Sequence, residues 1–142
     1  MAEQINIFVE NKPGRLMHVT RVLLARSINI RAMVIQDRDQ FGIMKLLVND
    51  PREALLALQE AGLACALKTV LAVEIDDRPG GLNRLAEVFN DNQVNIQDAY
   101  GFVVAPRKTA IWCVEVDAAE ETRAVLEKNG FRVLSDAELY EL

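Results

Sequence analysis

The chain has 142 residues, of which 51% are hydrophobic and 26% charged, and its 21 acidic against 16 basic side chains give a formal net charge of −5. That balance predicts a folded, well-packed protein rather than a disordered one, and it disfavours nucleic acid as a partner, because phosphate binding needs clustered Lys and Arg. No basic segment leading into an apolar stretch opens the chain and no apolar run reaches the length of a membrane span, so no membrane partner is expected and the location is read as cytoplasmic.

The first predicted strand, Ile5–Glu10, stops in the polar turn Asn11-Lys12-Pro13-Gly14. Leu16, Val19 and Leu23 then recur at helical spacing and predict a helix that ends near Ser27. Ile30–Gln36 and Phe41–Val48 follow as a strand pair joined by a polar turn, which reads as a hairpin. Asp50-Pro51-Arg52-Glu53 has the form of a helix start, with an N-cap carboxylate, proline at the first helical position and a Glu three residues on. Gly62 supplies the left-handed residue that stops this helix, and Ala64–Thr69 closes the unit as a strand.

The same order then begins again. Pro79 lies 66 residues beyond Pro13, and the same spacing relates Gly14 to Gly80, Leu16 to Leu82 and Asn29-Ile30 to Asn95-Ile96. Farther on, Val116 lies 68 residues beyond Val48 and Gly130 stands in the same relation to Gly62, which places two extra residues in the second copy near its Ala105-Pro106-Arg107-Lys108-Thr109 turn. The second copy predicts a strand at Leu71–Asp76, a helix carrying Leu82, Leu85, Val88 and Phe89, a hairpin of Ile96–Val104 with Thr109–Val116, a helix opening at Asp117-Ala118-Ala119-Glu120, and a closing strand at Phe131–Leu134. A tail with a Ser-x-x-Glu start, Ser135 to Glu138, predicts a helical turn. The chain is therefore read as two domains, 1–69 and 70–142, joined by a very short link near Thr69-Val70. Each is an α+β unit of the ferredoxin-like βαββαβ type, an antiparallel sheet with both helices on one face. Domains this small bury modest cores, so side-by-side pairing of the units, or a homodimer, is expected.

The repeated Pro-Gly turn is the most informative local feature. Pro13-Gly14 and Pro79-Gly80 each lead into a helix whose first amides lack intrahelical partners and could hold a carboxylate. An ordinary strand-to-helix turn explains the same residues. Arg15 offers a cation in the first copy, whereas Gly81 at the equivalent place is read as opening the second loop further. Asn29 and Asn95 present both donor and acceptor groups just before the second strand of each unit, although Asn also suits turns. They are expected to approach the Pro-Gly turn of their own unit.

Catalytic and metal chemistry have no visible residues. His18 is the single histidine and has no ligand-spaced companion, and the acidic clusters fall at strand ends and helix caps. Cys65 and Cys113 sit among strand-like residues and are read as buried thiols. No Gly-rich phosphate cradle or other cofactor motif is present, so no cofactor is expected.

Strand, Asn/Asp-x-Pro-Gly-x-Leu, helix, Asn-Ile, strand: this pattern, present twice, resembles the ACT domain, a regulatory amino-acid-binding module. The second copy, with Asp77-Arg78-Pro79-Gly80-Gly81-Leu82 and Asn95-Ile96, is the nearer match, while the first has Asn11-Lys12 in place of Asp-Arg. The resemblance implies a non-catalytic sensor that binds a free amino acid at an interface between ACT units. Carried over residue by residue, the contacts are Asn11, Pro13, Gly14, Arg15, Leu16, Asn29 and Ile30, together with Asp77, Pro79, Gly80, Gly81, Leu82, Asn95 and Ile96. Two other readings stay open. One is a ligand-free protein–protein interaction module. The other is an acylphosphatase-like enzyme of the same topology, which would need Arg15 and Asn29 to act together.

Overall fold

A computed structural model describes residues 1–142, except for the side chain at position 38. The chain forms two compact units, Glu3–Lys68 and Thr69–Leu142, the latter also including Met1–Ala2. In the first unit β1 (Ala2–Glu10) leads through the Pro-Gly turn to α1 (Arg15–Ala25), then β2 (Ile30–Arg38), β3 (Phe41–Val48) and α2 (Pro51–Glu60). The unit closes with the first residues of β4 (Ala64–Asp76), and the rest of that strand opens the second unit with no intervening loop. There follow α3 (Gly81–Asp91), β5 (Ile96–Ala105), β6 (Thr109–Val116), α4 (Ala119–Lys128), β7 (Val133–Leu134) and a terminal α5 (Asp136–Tyr140).

Both units are antiparallel βαββαβ folds. The first orders its strands β2-β3-β1-β4 and the second β5-β6-β4-β7. Alternation along the strands decides which residues enter each core, since successive side chains point to opposite faces. In the first unit Ile5, Ile7 and Val9 of β1 and Met44, Leu46 and Val48 of β3 meet Val19 and Leu23 of α1 and Ala54 and Leu58 of α2. In the second, Leu71, Val73 and Ile75 meet Leu85, Phe89 and Leu126. Leu16 and Leu82, each the first apolar position of a helical stripe, stay outside these cores at 45% and 41% exposed.

Helix ends differ between the copies. Asp50 caps α2 by accepting from the Glu53 amide at 3.1 Å, but Glu53 turns to Arg26 instead of reaching back. The matching cap expected at Asp117 does not form: α4 begins after Ala118, with no side-chain cap, and the Asp117 carboxylate accepts from Gln97. The tail does carry a complete capping box at Ser135 and Glu138, and it buries Leu139. The left-handed residues that follow α1 and α3 are Ser27 and Gln93, each two positions before the asparagines proposed for such a role.

The two extra residues of the second copy are divided. The first hairpin turns through Asp39-Gln40 between the paired Arg38 and Phe41. The second turns through three residues between Ala105 and Thr109, and a register shift between Val103 and Ala105 accommodates the other. A bulge of this kind re-aims the neighbouring strand. No helix among the described residues is long and apolar enough to cross a membrane.

Candidate functional site

The Pro-Gly loops are built alike. Gly14 and Gly80 precede their helices with φ of 89° and 88°, a left-handed conformation that favours glycine. Neither α1 nor α3 has a side-chain cap, and in the second unit the first helical amide, that of the buried Gly81, donates to Arg78 O at 3.0 Å. Each loop is tied to the hairpin turn of its own unit. The Asn11 amide N–H donates to Gln40 O at 3.0 Å, and its side chain donates to Asp37 Oδ1 at 2.9 Å and Asp39 O at 3.2 Å. In the second unit the Asp77 N–H donates to Lys108 O at 3.1 Å, and its carboxylate accepts from the Arg107 amide at 2.7 Å.

That tie corrects the expected convergence of loop and asparagine. The β1 register pairs Glu10 with Phe41, which places the first loop beside the β2–β3 turn, whereas Ile30 pairs with Val48 at the other end of β2. Asn29 there exchanges bonds with Asn49, donating its backbone N–H to Asn49 Oδ1 at 2.9 Å and accepting the Asn49 N–H at 3.1 Å. An 11-residue helix, about 16 Å long, separates the two ends. Asn29 and Ile30 line a shallow cleft with Arg21 and Leu24, and Asn95 lines another with Val116, Asp117 and Glu121. Pro13 and Pro79 are therefore remote from these asparagines within a unit. The acylphosphatase reading falls with this geometry, because Arg15 sits at the loop end, paired to Glu10 at 3.3 Å, far from Asn29. Lys12 and Arg15 together hold the Glu10 carboxyl below its ordinary value.

Gly81 also needs correction. It is buried, and a Cβ placed on it would lie 2.0 Å from the backbone oxygen of Asp76. Its missing side chain lets α3 approach the end of β4 and does not open the loop to a ligand.

The loop end of the second unit nevertheless holds a cleft of about 530 Å³, lined by Asp76, Asp77, Arg78, Pro79, Leu82, Gly101, Phe102, Val103, Arg107 and Trp112 among others. Of the residues singled out from sequence, Asp77, Pro79 and Leu82 meet here. Gly80 and Gly81 line a smaller cleft with Arg84 and Phe131, where the Arg84 guanidinium lies 4.3 Å from the Phe131 ring centroid. The cleft walls that sequence reasoning missed come from β5 and β6, where Gly101 pairs directly with Trp112. A Cβ at Gly101 would lie 2.9 Å from the indole nitrogen, so the ring lies across this glycine. A lone glycine inside the β-rich run Tyr100-Gly101-Phe102 was the available signal, since strand glycines mark such close approaches. Arg78 pairs with the exposed Asp76 at 3.0 Å, and Arg107 occupies the left-handed position of the hairpin turn at φ 62°. The site thus offers cations, carboxylates, an aromatic face and exposed aliphatic carbon in a volume suited to a small molecule.

A family model described as an ACT domain pair matches residues 1–142. The chain belongs to the ACT domain-pair family. A solved protein of Bacteroides thetaiotaomicron is 31% identical, with 99% of this chain and 96% of that one covered at a TM-score of 0.92. The regulatory subunit of aspartate kinase from Thermus thermophilus, solved in a ligand-free form, is 20% identical over 88% of each chain at a TM-score of 0.64. The corresponding subunit from Thermus flavus is 19% identical over 88% of each chain at 0.58. These two likenesses establish the tandem ACT fold. No curated protein matches the chain.

Proposed function

We propose that this ACT pair is a non-catalytic regulatory protein that binds a free amino acid at the loop end of its second unit. The observation that carries the reading is the cleft of about 530 Å³ where Pro79, Asp77, Arg78, Arg107 and Trp112 come together. An α-amino acid needs a cationic or amide partner for its carboxylate and an anionic one for its ammonium group. Arg107 and Arg78 supply the first and Asp77 and Asp76 the second. Membership of the ACT family supports the same reading, as does a fold shared with regulatory subunits. We extend the proposal to a cytoplasmic homodimer, checked in solution by light scattering with and without ligand.

A thermal-shift screen over the free amino acids tests the function. A ligand selective for the folded state stabilises it by about 2.7 kcal/mol at one hundred times its Kd, which for a chain of this length raises Tm by about 5–10 °C. A flat response to every amino acid at 10 mM would refute the reading and favour the ligand-free interaction module.

A further inference from the structure

Resting on that reading, we infer that the second-unit cleft selects amino acids with a large apolar side chain, aromatic ones included, and that Trp112 held against Gly101 is the selecting surface. The two copies differ at this point. In the second unit the register pair facing the cleft is Gly101 with Trp112, whereas the equivalent pair in the first is Ile35 with Met44. Met44 is 2% exposed and belongs to the first core, and Ile35, 52% exposed, stands where the second unit has Gly101. Trp112 also packs against its unit's core but is only partly buried and lines the cleft. An indole in that position presents a broad apolar face that favours stacked rings or branched aliphatic carbon.

Other lining residues have the same character. Leu82, at the start of α3, is 41% exposed, and Val103, on β5, is 53% exposed, and both line the cleft with Trp112. A ligand side chain inserted among them removes apolar surface from water. A small hydroxylated side chain would leave that surface wet, and a charged one would lose hydration against it, while Asp76 and Arg78 at the rim are already paired with each other at 3.0 Å.

Charge at the rim fixes the orientation. The second turn reads Ala105-Pro106-Arg107-Lys108, whereas the first reads Asp37-Arg38-Asp39-Gln40. Arg107 and Asp39 occupy the same left-handed turn position, both at φ 62°. The second unit therefore places a cation where the first places an anion. With the α-carboxylate at Arg107 and the ammonium group at Asp77, the side chain points along β5 toward Trp112. The Asp77 carboxylate holds the Arg107 amide with one lone pair and keeps acceptor capacity for the ammonium.

Trp112 is the chain's one tryptophan, so its emission reports on this cleft alone. The test titrates the intact protein with phenylalanine, leucine, serine, lysine and aspartate, reading Trp112 emission and Tm in parallel. The expected result is a saturable emission change and a Tm rise with phenylalanine or leucine, and neither with serine, lysine or aspartate. Trp112→Met and Arg107→Asp, which install the first unit's residues, should each weaken binding about tenfold, the effect of losing one good aromatic or charged contact. Their apo melting curves check that both variants fold. A Tm rise confined to small or charged amino acids, or one that leaves Trp112 emission and both variants' affinities unchanged, overturns the inference while the amino-acid reading stands. No Tm response to any amino acid overturns both.

Discussion

Gly81→Ala tests whether this glycine serves packing or ligand entry. Its added Cβ would fall 2.0 Å from Asp76 O and 3.0 Å from Asp76 C. Both are backbone atoms, so no rotamer change relieves the overlap, and the first turn of α3 must lift away from β4 by an ångström or so. Lifting it loosens Leu85 and Phe89, now 1% and 4% exposed. Overpacking of this kind costs about 1–3 kcal/mol; a backbone clash belongs at the upper end, and the lower chain entropy of the unfolded alanine variant returns up to about 1 kcal/mol. The net loss expected is about 2 kcal/mol, or about 4–8 °C in Tm. Gly80→Ala is the control. Its Cβ would meet nothing within 4 Å, so only the left-handed backbone is penalised, at about 1 kcal/mol. Thermal unfolding followed by Trp112 emission reads the second unit directly. If Gly81→Ala proves as stable as Gly80→Ala, the packing role is wrong and an open-loop role returns.

Other substitutions probe the parts that hold the site. Asp50→Ala removes the cap of α2 and should lower stability by about 1 kcal/mol in urea unfolding; Asp117→Ala, which removes no cap, should cost clearly less. Ser135→Ala breaks the capping box of α5 and should cost about 1 kcal/mol, seen as faster amide exchange around Leu139. Burial pushes the Cys113 thiol up to about 12 from an ordinary value near 9. Above pH 9 the unfolded chain loses this proton while the folded one keeps it, so stability present below pH 9 should fall by about 1.4 kcal/mol per pH unit toward pH 12. Burial raises Tyr100 beside it in the same direction. A Cys113→Ala variant with an equally steep alkaline loss would remove Cys113 as a cause.

The fold was legible because its signals are local and repeated. Pro13-Gly14 and Pro79-Gly80 mark the same turn, Val19 with Leu23 and Leu85 with Phe89 mark the same helical face, and Gly62 and Gly130 stop the same helix at φ 82° and 83°. The site was only half legible. Asp77, Pro79 and Leu82 stand out because they belong to the loop motif, and the cleft does gather them. Asn29 and Asn95 stand out equally, but strand direction carries them to the far end of each unit, and direction in space is not a property of a motif. Gly81 misled for a related reason: a missing Cβ reads as free space until the neighbouring backbone fills it.

What the motif could not reveal is the difference between the two units, because that difference lies across a changing register. Ile35 and Gly101 correspond at a spacing of 66 residues, but Met44 and Trp112 correspond at 68. An alignment held at 66 sets Trp112 against Leu46, a wholly buried core residue, and conceals the exchange of Met for Trp opposite the exchange of Ile for Gly. The bulge between Val103 and Ala105 and the longer turn after it are what shift the register. They also carry Arg107 to the position of Asp39 at the cleft rim. Each exchange alone would be damaging: an indole beside an isoleucine would be crowded out, and a glycine opposite a methionine would leave a gap in an edge strand. Together they turn the buried Met44 of the first unit into Trp112, which still packs against the second core but also reaches the surface of the cleft.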